Sequence, residues 1–279
     1  MSARNPGTKL DLEWISKVRV NRQAVLKRAQ RIQGLKMPTK QWQAAWLLKA
    51  ITCIDLTTLG GDDTSSNVHR LCLKAIHPVR RDLLRKMDMD NKGVTTAAVC
   101  VYPSRVADAV ISLKAANSSL PIASAMYHEI CQFREACGDA HMKTILAVGE
   151  LGTFTNVYKA SLVAMMAGSD FIKTSTGKEA VNATYAVAIV MVRAIRDYFL
   201  CTGYKVGFKP AGGIRTAQES LLWLTLVKEE LGSDWLCPPL FRLGASSLLA
   251  DIERSTITLL DNMQLIMSCL WPEAVDILF

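Results

Sequence analysis

Two lysines stand where apolar strands end, and their pairing is the first chemistry the chain offers. In Asp170-Phe171-Ile172-Lys173-Thr174-Ser175-Thr176-Gly177-Lys178 a lysine follows Phe and Ile, and Val206-Gly207-Phe208-Lys209-Pro210 repeats the arrangement. Side chains alternate faces along a strand, so Phe171 shares a face with Lys173, and Gly207 with Lys209. A buried ammonium beside another cation loses its proton more readily, through desolvation and through repulsion, and the neutral amine attacks carbonyl carbon. That is Schiff-base chemistry. Read singly, each lysine is equally a strand end snorkelling into water. Two of them on consecutive strands at matching depth point to a site.

Anion binding is the second chemistry. Lys209-Pro210-Ala211-Gly212-Gly213-Ile214 follows one strand and Gly244-Ala245-Ser246-Ser247 follows the next. Backbone N–H groups at glycine turns and helix starts attract phosphate. A tight turn between strand and helix uses the same glycines, so each loop alone leaves both readings open; the two together favour phosphate. Asp55 ends the run Ile51-Thr52-Cys53-Ile54-Asp55-Leu56, where it either orients a substrate hydroxyl or a lysine, or accepts a structural hydrogen bond. Cys100 shares a strand face with Ala98 and Tyr102 and is either site lining or core. His69, His77, His128 and His141 are assigned no catalysis. The eight cysteines form no CxxC pair and the four histidines lack ligand spacing, so no metal site is expected.

These residues need a scaffold. Short β-rich runs, each followed by an amphipathic helix, cover Ile51–Leu56, Val94–Val101, Pro121–Ser124, Lys143–Val148, Asp170–Thr174, Lys205–Lys209 and Leu240–Leu243. Such alternation predicts βαβ units and a parallel sheet. Thr216 with Glu219 forms a capping box and Gly232 a stop; Pro103 marks a first helical turn, and Asn182 is expected to cap the helix that ends near Gly203. Thr57-Thr58-Leu59-Gly60-Gly61-Asp62 after the first strand is no GxGxxG, which disfavours an open dinucleotide-binding sheet and favours a (β/α)8 barrel. Six strands and the stub at Pro121–Ser124 fall short of eight.

The chain has 279 residues, half of them hydrophobic, and a formal charge of +8, the profile of a globular protein large enough for a substantial core. Nine basic residues and no acidic one lie between Lys17 and Lys49. Val18, Val25, Ile32 and Leu35 recur near helical spacing there, so a solvated amphipathic helix is expected, with nucleic acid the less favoured partner for want of interleaved aromatics. Cysteine usage fits a reduced compartment, and no signal peptide or bilayer-length apolar run is present, so a soluble cytoplasmic protein is expected.

The two lysine strings, with Ile54-Asp55-Leu56-Thr57-Thr58-Leu59 and Gly244-Ala245-Ser246-Ser247, resemble the 2-deoxyribose-5-phosphate aldolase family in its animal form, from near the N-terminus to about Arg254. The resemblance implies a class I aldolase on a (β/α)8 TIM barrel. Members reversibly cleave 2-deoxy-D-ribose 5-phosphate to acetaldehyde and D-glyceraldehyde 3-phosphate, without metal or cofactor. By motif, Lys173 is expected to form the Schiff base and Lys209 to relay protons and activate it. Gly212, Gly213, Ser246 and Ser247 are expected to hold the phosphate, with Asp55, Cys100, Thr176 and Lys178 lining the substrate site. A homodimer is the assembly the resemblance allows.

Two departures accompany it. The family's strand corresponding to Pro121–Ser124 leads through a further helix to a fourth strand bearing a relay aspartate, whereas here Ser124 passes directly to Ala125-Met126-Tyr127-His128-Glu129-Ile130, which resembles the helix after that strand. About one βα unit, roughly 30 residues or more, is therefore expected to be missing, leaving an incomplete barrel with exposed strand edges and impaired turnover. Ser255–Phe279 does not resemble the family's tail. The expected division is an N-terminal helical extension (1–50), a barrel domain (51–254) and a divergent tail (255–279). The rival readings are a noncatalytic interaction or RNA-binding isoform, acting through the basic segment or the apolar tail, and a different Schiff-base barrel aldolase.

Overall fold

The structure is a computed structural model and describes residues 4–261 apart from 119, 121, 125–129, 131–133, 136, 139 and 178. In chain order its elements are α1 (Leu12–Lys17), α2 (Arg22–Gln33), α3 (Lys40–Thr52), β1 (Ile54–Thr57), α4 (Ser65–Ile76), α5 (Arg81–Lys86), β2 (Ala98–Val101), α6 (Val106–Ala115), β3 (Ile122–Ser124) and β4 (Lys143–Ile145). They continue with α7 (Phe154–Met166), β5 (Phe171–Lys173), α8 (Tyr185–Thr202), β6 (Gly207–Lys209), α9 (Ala217–Leu231), β7 (Leu243–Ala245) and α10 (Leu248–Asp261). Each expected strand has a counterpart, and all the strand pairs are parallel.

The chain divides into two compact units. One comprises Met1–Leu35, Met126–Gly213 and Thr225–Arg242; the other comprises Lys36–Ala125, Ile214–Leu224 and Leu243–Phe279. The first unit holds a three-stranded sheet in the order β4-β5-β6, so β4 is an edge. Phe171 pairs with Lys143 and Gly207, and Lys173 pairs with Ile145 and Lys209. Beyond β6, Phe208 bridges Phe241 in parallel, and their buried rings stack with centroids 6.5 Å apart. The other unit holds a four-stranded sheet in the order β3-β2-β1-β7, with β3 at one edge.

One close approach fixes a residue type in β6. A Cβ on Gly207 would stand 2.3 Å from the fully buried Phe171 ring, so the strand carrying Lys209 has no room for a side chain there. Gly207→Ala is expected to cost about 1–3 kcal/mol through overpacking, read as a lower urea midpoint with an unchanged slope.

Helix boundaries follow local chemistry. The Thr216–Glu219 capping box forms as expected, with Thr216 N–H donating to Glu219 at 2.9 Å and Glu219 N–H to the Thr216 hydroxyl at 3.1 Å. Gly203 ends α8 at φ 76° and Gly232 follows α9 at φ 88°. The cap of α8 is Thr184, which accepts from Val187 N–H at 3.2 Å, and not Asn182. Three helices replace the single amphipathic helix expected over the basic segment: Asn21 caps α2 anew, and Gly34 ends it. Val25 and Ile32 are buried as the periodicity requires, while Leu35 lies beyond the helix. Arg28 is spent internally, on Glu230 at 2.6 Å and Glu229 at 3.0 Å.

Ile51 and Thr52 belong to α3, so β1 begins three residues later than its apolar run. β7 begins at Leu243, where the expected strand ended, because Leu240 and Phe241 close a turn onto Cys237. α3 crosses position 50 and α10 crosses position 254 without a break. Among the described residues no helix is long and apolar enough to cross a membrane.

Candidate active site

β5 and β6 carry the two lysines at the same level. Lys173 and Lys209 are direct register partners, 3% and 1% exposed. Partners on adjacent parallel strands project from the same face about 4.8 Å apart, so both stems leave one buried patch together. Phe171 lies one layer toward the strands' beginnings on that face, and cations flank its ring: Lys143 Nζ at 5.1 Å and the Arg242 guanidinium carbon at 5.8 Å from the centroid. The opposite face, with Ile172 and Phe208, is apolar core. Burial pushes His141 below the usual histidine range; the Asp170 carboxylate opposes this, and Arg4, Lys143 and Arg242 add to the lowering.

The strand ends are laced beyond the ladder. Leu146 N–H donates to Lys173 O at 2.9 Å, Val148 N–H to Thr174 O at 3.0 Å, and Thr174 N–H to Lys209 O at 3.2 Å. Thr174 Oγ1 donates to Ala211 O at 3.0 Å and accepts from Ala211 N–H at 2.9 Å, while Ser175 Oγ shares its one proton between Ala211 O at 2.7 Å and Asn182 Oδ1 at 2.8 Å. Both lysines therefore stand on backbone that is fixed on either side. Ala147, just past β4, takes φ 48°, which for a non-glycine residue is stored strain at the strand ends where this site lies.

The other site residues read from the sequence are placed as follows. Gly212 and Gly213 lie just past β6 at φ 93° and 87°, and a Cβ on Gly212 would meet Asn182 at 2.5 Å. Thr176 sits past β5, where its N–H donates to Glu179. These belong to the same unit as the two lysines. Lys178 lies outside the described residues.

Asp55, Cys100, Ser246 and Ser247 belong to the other unit. There Asp55, fully buried, pairs with Ala98 and Gly244, and Cys100 pairs with Thr57, which puts Asp55 and Cys100 on one face of the four-stranded sheet. Ser246 and Ser247 are exposed between β7 and α10. Among the described residues no group of three or more His, Cys, Asp or Glu side chains could hold a metal ion.

Glu179 was not among the residues read from the sequence, yet it is an acid of the loop after β5. Its carboxylate accepts from Thr176 N–H at 2.9 and 3.0 Å and from Gly177 N–H at 3.1 Å. Burial works against its charge, but these hydrogen bonds prevail and hold it below the usual glutamate range. Thr176 and Glu179 repeat the Thr216 and Glu219 spacing, a signal available in the sequence.

Comparison with known proteins accords with this geometry. The DeoC/LacD family aldolase model matches residues 112–251. A deoxyribose-phosphate aldolase of Mus musculus is 62% identical over 299 residues, spanning 91% of this chain and 94% of its own, and that of Homo sapiens is 60% identical with the same coverage. A crystal structure from Coccidioides immitis, provisionally assigned as a deoxyribose-phosphate aldolase, superposes with a TM-score of 0.57 at 20% identity, covering 85% of this chain and 98% of that one. This last likeness speaks to fold alone, and it is the fold of the aldolases. With paired lysines on neighbouring strands and relatives this similar along nine-tenths of its length, the chain belongs to the deoxyribose-phosphate aldolase family.

Proposed function

We propose that this chain is a class I aldolase that reversibly cleaves 2-deoxy-D-ribose 5-phosphate to acetaldehyde and D-glyceraldehyde 3-phosphate. The observation that carries the reading is the register pairing of two buried lysines, Lys173 and Lys209, in a chain of this family. Two buried ammonium groups side by side are disfavoured; the neutral, attacking amine is assigned to Lys173 and the proton to Lys209.

Lys173 Nζ attacks C1 of the open-chain aldehyde, and loss of water leaves an iminium. The C2–C3 bond then breaks, its electron pair passing toward the iminium nitrogen as the C3 hydroxyl gives up its proton, and D-glyceraldehyde 3-phosphate departs. Protonation of the enamine at C2 and hydrolysis release acetaldehyde and restore the amine. Lys209 serves as the cation that activates Lys173 and as a proton carrier. Gly212 and Gly213, on the loop after Lys209, bind the phosphate and Thr176 lines the sugar site; the family resemblance alone adds Ser246 and Ser247 to the phosphate and Asp55, Cys100 and Lys178 to the sugar. No metal or organic cofactor is required by this sequence of steps.

The missing βα unit is part of the proposal. Alignment with the mouse relative runs over 299 residues, more than the 279 of the whole chain, which fits an internal stretch of the relative without a counterpart here. β3 and β4 are successive strands in the chain, and each is an edge strand of its own sheet. Without the unit's relay acid, turnover falls about 10²- to 10⁴-fold below that of a family member that has it.

Reductive trapping tests the reading. The chain incubated with acetaldehyde and borohydride is expected to carry a reduced ethyl adduct on Lys173, with the mouse relative labelled in parallel. Absence of the adduct on this chain alone, with the chain folded by circular dichroism, overturns the enzyme reading.

A further inference from the structure

The carboxylate of Glu179 is seated on backbone N–H groups. Thr176 and Gly177, the latter at φ 96°, turn successive N–H groups toward one point and form an anion-binding nest. Glu179 fills it. The arrangement copies the capping box at Thr216 and Glu219, but no helix follows: the next begins at Tyr185. The carboxylate therefore caps nothing, and another reason is needed for its seat.

The nest is well placed for a phosphate. A Cβ on Gly177 would come within 3.5 Å of Gly212 Cα and 3.8 Å of its nitrogen, so the loops after β5 and β6 meet backbone to backbone. The frame around the nest is fixed: Asn182 Nδ2 donates to Glu179 O at 2.7 Å, Asn182 Oδ1 accepts from Ser175 Oγ at 2.8 Å, and Asn182 packs on Gly212. The Glu179 main chain is thus held, while its side chain is only half-buried.

We propose that Glu179 is a built-in competitor for the phosphate of the substrate, seated on the N–H groups of Thr176 and Gly177 and displaced when a phosphorylated aldehyde binds. Glu179 thereby sets the affinity for phosphate-bearing ligands. The inference rests on reading Lys173 and Lys209 as the site of a sugar phosphate.

The test is phosphate binding by the whole chain, followed by ³¹P NMR titration with inorganic phosphate and with 2-deoxy-D-ribose 5-phosphate. Glutamine keeps the length and the acceptor of the side chain but not its charge, so Glu179→Gln is expected to bind both probes about 10- to 100-fold more tightly, the worth of one or two charge-assisted hydrogen bonds. Gly177→Ala, which strains the nest at φ 96°, is expected to weaken both. A Glu179→Gln affinity equal to or below that of the parent overturns the proposal, as does failure of either protein to bind phosphate. Should Glu179→Gln unfold, Glu179→Ala is read in the same way. Acetaldehyde carries no phosphate, so trapping at Lys173 in the unaltered chain tests the aldolase reading separately: phosphate binding that tightens without any trapping sinks that reading and not the competition at the nest.

Discussion

Lys173→Arg is expected to abolish the borohydride-trapped adduct and to lower aldol turnover by about 10⁴-fold or more. Arginine keeps the charge and nearly the length, but its guanidinium does not lose a proton in a protein, so no nucleophile forms. A purely structural lysine would tolerate this exchange, and wild-type trapping in the variant would refute the assignment. Lys209→Met gives the complementary result. Methionine fills the buried stem of Lys209, which is 1% exposed, and deletes only the cation. Lys173, relieved of its neighbour, then stays protonated near neutral pH; trapping slows there by about 10²-fold or more and recovers as the pH is raised toward the ordinary lysine range near ~10.4. A rate-against-pH profile for trapping separates the roles. Loss at every pH marks the nucleophile, and recovery at high pH marks the activator. Equal neutral-pH trapping by Lys209→Met and the parent would remove Lys209 from the mechanism.

The strands that carry the lysines were legible because each is a short apolar run stopped by a charge, and period-2 alternation then decides which side chains share a face. The register was not legible from alternation alone. Pairing Phe171 with Gly207 depends on a long-range contact, the ring lying over a position without a side chain. Around Ile51 to Ile54 the failure has a different cause: a short, mostly apolar run looks alike at the end of a buried helix and the start of a buried strand, and α3 claims Ile51 and Thr52. Asn182 and Thr184 are both good helix caps. Asn182 is taken by Ser175 and Glu179, which leaves Thr184 for the helix. Motif spacing drew attention to the loops after β5 and β6 but passed over Glu179, because an acidic residue beside a lysine reads as solvated surface. Its partners are backbone N–H groups, and a nest is a matter of dihedral angles rather than of residue type. Arg242 was passed over as well: it reaches the Phe171 ring from beyond β6, through a turn that the strand pattern does not encode.

Asp170 positions the strand that carries Lys173, and its removal is expected to have the largest effect on stability. The residue directly precedes β5 and its side chain is 5% exposed. One carboxylate oxygen accepts from Asn5 N–H at 3.0 Å; the other accepts from Arg134 Nη1 at 2.6 Å and Met142 N–H at 2.8 Å. Asn5 is itself buried, donating to Met165 O and Ser169 O and accepting from Tyr198. Asp170 thus ties the N-terminal segment, the approach to β4 and the start of β5 into one knot. Asp170→Ala leaves the guanidinium of Arg134 and two backbone donors without their acceptor, at an expected cost of about 3–5 kcal/mol. Asparagine does not rescue it. Every group facing either carboxylate oxygen is a donor, so an amide turned either way sets its own NH2 against a donor, and Asp170→Asn is expected to lose nearly as much. Chemical denaturation of both variants checks this, read as midpoint shifts at constant slope. The reverse deletion, Arg134→Ala, keeps two N–H partners on the carboxylate and is expected to cost less than Asp170→Ala. If Asp170→Asn instead matches the parent, the carboxylate's charge is not what holds β5, and the knot is carried by Asn5.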